Sequence, residues 1–317
     1  MQDNAAVDTS SRFSTKYIAD NEKFLGWAFL LPAVLYILLL VGVPFVLAIA
    51  FSLADVTVGD TTLNFVGLQN FARIMQTPEF WQSLRNTFGF AITAQIITII
   101  LANILAVLLS SDFRGKWFAL VLIMLPWSTP IALGAIGWLW LLDSKFSPID
   151  WVLRYFSLLG GEGALLGVPK NLYYLGKAQL AQASIIMVYV WRMLPLSAVI
   201  LLAGLTSIPQ DLLDQAEVDG SSFWRTLFQI KLPLILPIMI IAILFSFIYT
   251  VGDMAIVFIL TRGGPVYYTH VLPTWAYIKG IEGGALAEGA AIALFIFPVL
   301  LAAAILILRY SRRTEVT

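Results

Sequence analysis

The amino-acid sequence predicts an all-α, polytopic membrane protein with six transmembrane helices. Of its 317 residues, 60% are hydrophobic and only 12% are charged. The mean hydropathy is +0.87, and a water-soluble domain of this length needs more polar surface than that. Six runs with at most one charge each exceed the roughly 20 residues that span a bilayer.

These runs are predicted to be helices because backbone groups in hydrocarbon must be hydrogen-bonded within the segment. Prolines within them are tolerated between packed membrane helices. The chain then divides into a polar tail (1–23), a transmembrane domain (24–309) and a second tail (310–317). The predicted spans are 24–53, 88–111, 117–142, 178–205, 232–260 and 285–308.

The distribution of Lys and Arg predicts the orientation of the chain. Ten of these residues lie in the two tails and the loops on the same side, and eight lie in the longer alternating loops. Arg114 and Lys116 occupy a very short loop, and three arginines follow the last span. Both termini are therefore expected in the cytoplasm.

The composition excludes several classes of site. There is no cysteine, so the chain has neither disulfides nor thiolate metal sites. A single histidine, His270, argues against a His-rich metal site or a Ser-His pair. No phosphate-cradling G-x-x-x-x-G-K-[ST] loop occurs, and no basic patch indicates a nucleic-acid partner.

A polar insert, "DLLDQAEVDGSSFWRTLFQIKLP", interrupts the apolar second half at 211–233. Its first part predicts a helix with Ser207 as a candidate cap, Pro209 in the first turn and Gly220 at the end. On a helical wheel Leu212, Leu213 and Ala216 share one arc, and the opposite arc carries Asp211, Asp214 and Glu217. Asp219 falls in the last turn, where the helix dipole disfavours an anion.

A second short amphipathic helix is predicted at 223–230, with Ser221 or Ser222 as its cap and Pro233 starting the next span. One interpretation is a connector that lies on the lipid headgroups. Interfacial helices usually carry Lys and Arg, however, and an acidic face suits a basic protein surface better.

The same insert resembles a characteristic cytoplasmic loop of ABC importer permeases, E-A-A, three residues, G, nine residues, I-x-L-P. Here Gly220 is followed after nine residues by Ile230, Lys231, Leu232 and Pro233. The first three positions read Asp214-Gln215-Ala216, which departs from the pattern at two places and leaves the partner contact open.

Further segments resemble the first of the two permease subunits of maltose- and trehalose-type sugar importers. These segments are "FVGLQNF" (65–71), "PEFWQSLRNT" (78–87), "FRGKWFALVLIMLPW" (113–127), "WRMLP" (191–195) and "LTRGGP" (260–265). The resemblance covers about 24–309 and implies the type I ABC importer permease fold in a bacterial or archaeal cytoplasmic membrane.

The resemblance also implies a transport mechanism rather than an enzyme. Such permeases form a heterodimer with a second permease subunit, and the sugar passes between the two. Two ATPase subunits, or a homodimer of one, bind ATP and Mg²⁺, so this chain needs no cofactor or metal of its own. An extracytoplasmic sugar-binding protein or lipoprotein delivers a disaccharide such as trehalose or maltose, or a related glycoside, and glycerol phosphate is the alternative substrate.

The resemblance assigns two sets of residues. The ATPase-coupling residues are Asp211, Asp214, Ala216, Glu217, Asp219, Gly220, Ile230, Leu232 and Pro233. The residues of the substrate path are Trp191, Arg192, Tyr249, Gly252 and Asp253.

The charged residues within the spans are functional candidates, since a charge at mid-membrane costs about 2.5–3.5 kcal/mol. Arg192 either contacts an anionic substrate, or it forms an internal salt bridge or pairs with the end of a helix. Asp253 either lines the path, beside Gly252, or pairs with Arg192. Glu288 is expected at the membrane interface, and His270 is expected to be a solvated loop residue.

Two other classes of function compete with this hypothesis. An ion-coupled secondary transporter or channel would show repeats and more buried carboxylates, which the sequence lacks. A membrane enzyme would need a catalytic set that the spans do not contain.

Overall fold

The structure is a computed structural model that describes residues 22–161, 163–167 and 169–314. The predicted N-terminal tail lies outside the described residues except at 22–23, and so do the last three residues of the C-terminal tail. The chain divides into two compact units, Met1–Ala50 and Phe51–Thr317.

The helices, numbered in chain order, are α1 (Glu22–Ile37), α2 (Val43–Ser52), α3 (Gln69–Met75), α4 (Pro78–Ser110), α5 (Lys116–Ser128), α6 (Ile131–Leu141), α7 (Pro148–Tyr155), α8 (Ala178–Thr206), α9 (Gln210–Val218), α10 (Phe223–Thr226), α11 (Leu232–Gly252), α12 (Ala255–Leu260), α13 (Leu272–Tyr277), α14 (Leu286–Leu294) and α15 (Phe297–Thr314). Three π-helical turns continue helices, at Leu38–Gly42, Leu227–Lys231 and Ile278–Glu282.

The all-α class is confirmed, with one addition. An antiparallel hairpin of β1 (Ala54–Thr57) and β2 (Asp60–Phe65) follows α2, and it pairs Ala54 with Phe65. Its backbone is held beside α3, where the side-chain amide of Asn70 donates to the carbonyls of Ser52 and Ala54. Strands this short leave little alternating pattern in a sequence, and the hairpin was not predicted.

The described residues contain five helices that are long and apolar enough to cross a membrane, and six if one bent pair counts as a single span. Besides the third, three of the six predicted spans differ from the helices that the structure shows. The second begins at Pro78 rather than at 88, with Pro78 in the first turn where its missing N–H is harmless. The fifth begins at Phe223, and the sixth is interrupted between Leu294 and Phe297.

The predicted third span is the bent pair. Helices α5 and α6 meet at an angle of 95° at a break between Ser128 and Ile131. Pro130 has no N–H to continue the ladder, and it disfavours the helical conformation of Thr129, which is extended. The predicted span over 117–142 thus consists of two helices, with a break at Thr129 and Pro130.

The core of the second unit forms where α4, α8 and α12 pack together. Phe90 and Ala94 of α4 contact Ile185 and Tyr189 of α8, and Val257 of α12 joins the same buried cluster. A second cluster around Ala102 and Ala198 places small residues where α4 and α8 lie close. This packing fixes α8, which carries Arg192, and α12, which begins two residues after Asp253.

The backbone of the third π-helical turn is in direct contact with the backbone of α14. A Cβ on Gly289 would lie 2.5 Å from Gly280 Cα, and one on Gly280 would lie 2.9 Å from Gly289 Cα. Beside this crossing, Glu288 forms ion pairs with Arg73 at 2.9 Å and with Lys279 at 3.1 Å. Only glycine fits at either crossing position, because the neighbouring atoms are backbone and cannot rotate away.

Candidate functional site

The first candidate site is α9, the helix of the polar insert. Its C-terminal end is closed by two hydrogen bonds, from Gly220 N–H to the Glu217 carbonyl and from Ser221 N–H to the Ala216 carbonyl, both 2.9 Å. Gly220 has φ +72°, so the turn requires a left-handed residue. The prediction that Gly220 ends this helix is confirmed.

The other end of α9 differs from the expectation. Pro209 takes the capping position, and its side chain forms no capping hydrogen bond. The Ser207 hydroxyl bonds back to the Gly204 carbonyl at 2.8 Å, so Ser207 belongs to the end of α8 rather than to the start of α9.

The acidic side chains of α9 form an exposed face. Its one buried residue is Ala216, and the carboxylates are directed outward at Asp211, Asp214, Glu217 and Asp219. The amide of Gln210 donates to Asp214 at 2.9 Å. The helix therefore presents a negatively charged surface on a small apolar base.

The two halves of the insert meet around one groove of about 390 Å³. From α9 it is lined by Leu212, Ala216 and Asp219, and from the following segment by Ile230 and Pro233. Residues that are fourteen or more positions apart in the sequence, such as Ala216 and Ile230, thus share one surface. Leu232 lies on the other side, next to α4.

The second short helix of the insert is not separate. Ser222 caps it as predicted, accepting from Arg225 N–H at 3.4 Å. The helix then continues through the π turn Leu227–Lys231 into α11, giving one helix of 30 residues from Phe223 to Gly252. Pro233 sits inside it without a break because the π turn already rearranges the hydrogen bonding there.

The second candidate site is a cavity of about 280 Å³ between α6, α8, α11 and α12. Four of the five residues assigned to the substrate path line it, namely Arg192, Tyr249, Gly252 and Asp253. Its other lining residues are Ile131, Tyr189, Met193 and Ile256.

Asp253 stands at the break between α11 and α12. One carboxylate oxygen, Oδ2, accepts from the Ile256 N–H at 3.0 Å and from the Tyr189 hydroxyl at 3.2 Å. The carboxylate thereby caps the first turn of α12, where the helix dipole favours an anion. The predicted span over 232–260 is broken at this residue.

Arg192 and Asp253 do not form the ion pair that was considered for them. The salt bridges among the described residues do not include this pair. Instead, Arg192 Nη1 donates to the Thr129 carbonyl at 3.3 Å, and the guanidinium lies 5.8 Å from the ring centroid of Trp127. The bend between α5 and α6 frees the Thr129 carbonyl for this bond.

Trp191, the fifth assigned residue, lies outside the cavity. Its ring is 5.6 Å from that of Trp138 and packs on the backbone of Gly134, where a Cβ would come within 3.4 Å. One residue along a helix turns the side chain by about 100°, so Trp191 and Arg192 face different neighbours.

Sequence reasoning missed two aromatic residues at this site, Tyr189 and Trp127. Tyr189 is fully buried and lies three residues before Arg192, on the same side of α8. Trp127 lies between two prolines and contacts the ring of Tyr249 at 5.8 Å. The i−3 spacing to a charged span residue was the available signal for Tyr189.

His270 is buried, not solvated as predicted. Its imidazole lies against Gly263, where a Cβ would come within 2.2 Å of the ring, and its carbonyl accepts from Asn86 at 2.9 Å. Burial lowers the pKa of this imidazole, against a smaller opposing effect of Glu79. The histidine is thus a neutral packing element of the loop between α12 and α13 at neutral pH.

Within the described part of the chain, no group of three or more His, Cys, Asp or Glu residues could hold a metal ion. Both sites contain carboxylates, and the cavity also contains a guanidinium and aromatic rings. Such groups bind and orient a polar molecule or a protein surface.

Known proteins resemble this chain along most of its length. A probable ABC transporter permease protein of Brucella suis is 31% identical over 246 residues, which cover 78% of this chain and 82% of the relative. The trehalose/maltose transport system permease protein MalF of Thermococcus litoralis is 28% identical over 307 residues, covering 96% and 99%.

Among solved structures, a bacterial alginate ABC transporter in complex with a periplasmic protein bound to an alginate pentasaccharide has a chain with the same fold. The TM-score is 0.75 at 20% identity, over 94% of this chain and 97% of the other. Residues 98–312 match the family described as "Binding-protein-dependent transport system inner membrane component". The chain belongs to that family, and it is an inner-membrane permease component of an ABC transporter rather than an enzyme.

Proposed function

We propose that this chain is a permease subunit of an importer for a sugar, in particular a disaccharide such as trehalose or maltose or a related glycoside. The cavity around Asp253 carries this proposal, because it offers an acceptor, a donor and aromatic rings in one place. Named relatives support it, including the permease proteins for trehalose/maltose and, at 25% identity, for diacetylchitobiose uptake in Streptomyces coelicolor.

The chemistry of the cavity suits a polyol. A carboxylate accepts strong hydrogen bonds from hydroxyl groups, and the bonds that Asp253 accepts from Tyr189 and Ile256 both use Oδ2 rather than Oδ1. The ring of Tyr249, with Trp127 beside it, supplies an apolar face for the C–H side of a sugar ring.

An anionic substrate such as glycerol phosphate is the second candidate. Arg192 lines the cavity and forms no ion pair within 4.0 Å of a described carboxylate, so its charge is available to a phosphate. Permease proteins named for sn-glycerol-3-phosphate transport are 26% and 27% identical to this chain.

The acidic face of α9 supports the remaining assignments. We infer that Asp211, Asp214, Glu217 and Asp219 dock on one of two ATPase subunits, which hold ATP and Mg²⁺, and that the groove with Ile230 and Pro233 receives an apolar side chain of that partner. A second permease subunit completes the path as a heterodimer. An extracytoplasmic binding protein or lipoprotein delivers the substrate.

The substitution Asp253→Asn tests whether the Asp253 carboxylate binds the sugar along the substrate path. The asparagine keeps the shape and an oxygen acceptor for Ile256 N–H, but it removes the charge. Hydrogen bonds to charged groups contribute about 1.5–3 kcal/mol, so sugar uptake should fall by a factor of about 10 to 100. The measurement is uptake of labelled sugars by the assembled transporter in proteoliposomes, divided by the amount of assembled complex.

Met193→Leu is the matched control, since Met193 lines the same cavity with an apolar side chain of similar volume. It should leave uptake near the parent value. If the Asp253→Ala variant takes up sugar at the full rate, Asp253 has no role in the substrate path. Uptake of glycerol phosphate but of no sugar in the panel, together with loss of uptake in Arg192→Leu, would favour the second candidate.

Single-cysteine labelling tests the orientation. The chain has no cysteine, so each introduced thiol is unique. We expect an impermeant maleimide to label Thr57→Cys in intact cells but not Ser11→Cys or Ser111→Cys, because both termini are proposed to be cytoplasmic. Thr57 and Ser111 are exposed, which makes either outcome interpretable. The reverse pattern would invert the topology.

A further inference from the structure

Helix α7 has an apolar face that is exposed and a polar face that is turned into the protein, the reverse of a helix at the surface of a soluble protein. Its exposed side chains are large and apolar or aromatic, with exposed fractions of 62% for Trp151, 43% for Val152 and 72% for Tyr155. Phe146 before the helix and Phe156 after it are exposed as well. Trp151 and Tyr155 stack, with ring centroids 5.9 Å apart and an interplanar angle of 21°.

The polar side chains of α7 form hydrogen bonds with other residues of the loop between α6 and α8. Asp150 is 1% exposed and accepts from the Leu172 N–H at 2.9 Å and from the Tyr174 hydroxyl at 2.8 Å. Burial and the neighbouring Asp150 carboxylate raise the pKa of Tyr174, so its hydroxyl stays a donor. Arg154 donates to the Asn171 side chain at 2.9 Å. These bonds fix which face of α7 is directed outward.

The same loop fixes the position of α7 relative to α6 and α8. The Ser147 hydroxyl donates to the carbonyl of Leu141, the last residue of α6, at 2.7 Å, and Ser147 also caps α7 through Asp150 N–H at 3.2 Å. Leu175, near the other end of the loop, packs on the buried core just before α8 begins. Helix α7 is therefore held beside the end of α6 and close to the start of α8.

We propose that the outward face of α7, formed by Phe146, Trp151, Val152, Tyr155 and Phe156, is an anchor that lies in the headgroup region of the lipid bilayer. Trp and Tyr are the residues enriched at membrane–water interfaces, because their rings combine an apolar body with a polar tip. Exposed lysines flank the patch at Lys145 and Lys170, and they complement anionic headgroups. The occupant is lipid, because Trp, Tyr and Phe make up most of the patch, exposed lysines border it in sequence, and the loop holds α7 between α6 and the start of a membrane-spanning helix, α8. The inference needs only that the chain crosses a membrane, and it stands apart from the transported substrate.

Spin labels on the cysteine-free chain test this anchor. The full-length permease, in nanodiscs of phosphatidylethanolamine and phosphatidylglycerol, carries one nitroxide at Trp151→Cys, Val152→Cys or Tyr155→Cys. Gly161→Cys is the control in the same loop, since Gly161 is exposed and a Cβ there meets nothing within 4 Å. Collision rates with oxygen and with a polar nickel chelate are measured by power saturation.

We expect the three α7 labels to collide with oxygen but to be severalfold less accessible to the nickel chelate than the Gly161→Cys label. If the α7 labels meet the chelate as freely as the control, the face is in water and the anchor is wrong. If both reagents are excluded, the face is buried against protein, which also overturns the proposal. Using three positions ensures that local misfolding at one of them does not decide the result.

Discussion

Replacing Gly220 with proline is expected to abolish transport while leaving the chain folded in the membrane. Proline fixes φ near −65°, whereas Gly220 adopts +72°. The change also removes the N–H that donates to the Glu217 carbonyl, and it disfavours the helical backbone of Asp219, which has φ −75° and ψ 2°. The turn after α9 would have to adopt another conformation, and the acidic face would lose its orientation towards the ATPase partner proposed for it.

Gly220→Asn is the matched variant, because asparagine tolerates the left-handed conformation better than other residues with a side chain. A Cβ at this position meets nothing within 4 Å, so the added side chain is not obstructed. We expect the asparagine variant to retain most of the substrate-stimulated ATPase activity and uptake that the proline variant loses, at equal amounts of permease in the membrane. Normal uptake by the proline variant would show that α9 does not couple the two activities.

Replacing Gly289 with alanine is expected to lower the amount and the thermal stability of the folded permease. The new methyl group would lie 2.5 Å from Gly280 Cα and 2.8 Å from the Ala276 carbonyl oxygen, and both are backbone atoms. Overpacking of this kind costs about 1–3 kcal/mol, more than the up to about 1 kcal/mol that alanine gains over glycine in a helix. The melting temperature of the purified transporter is measured by heating samples and determining the remaining folded fraction by size-exclusion chromatography.

Gly89→Ala supplies the control for this comparison. Gly89 also lies inside a helix, α4, but a Cβ there meets nothing within 4 Å. It should melt at or slightly above the parent temperature, because only the helix propensity changes. Gly280→Ala should repeat the loss seen with Gly289→Ala. If the Gly289→Ala and Gly89→Ala proteins have the same melting temperature, the backbones at Gly280 and Gly289 are not in contact.

The helices of this fold could be predicted because the bilayer sets both their length and their composition. A span needs about 20 apolar residues, and that signal is strong in every run that was identified. The position of the bend at Pro130 could not be predicted in the same way. Proline inside a membrane helix is compatible with a straight or a bent helix, and packing decides between them.

The two candidate sites differ in how far the sequence could predict them. The turn at Gly220 depends on a few neighbouring residues, so local rules described it correctly. The contacts of Arg192 and Asp253 depend on how α8 and α11 are rotated about their axes. Asp253 accepts from Tyr189, and Arg192 donates to the Thr129 carbonyl, instead of the two forming an ion pair. The i−3 spacing places Tyr189 on the side of Arg192, but it does not reveal which partner each charged group takes. His270 was misjudged for the same reason, since Gly263 makes room for it from seven residues away.

The continuous helix from Phe223 to Gly252 directly connects the two candidate sites. Thirty residues at a rise of about 1.5 Å each make a rod of about 45 Å, with one end beside α9 and the other at the cavity. Such a rod transmits a push along its axis with little compression, and no loop intervenes to absorb the stroke. Its π turn at Leu227–Lys231 has altered hydrogen bonding, and Pro237 removes a further N–H, so the helix is least regular towards the end beside α9. A displacement at Phe223 would therefore reach Tyr249 and Gly252 along one helix rather than through a loop.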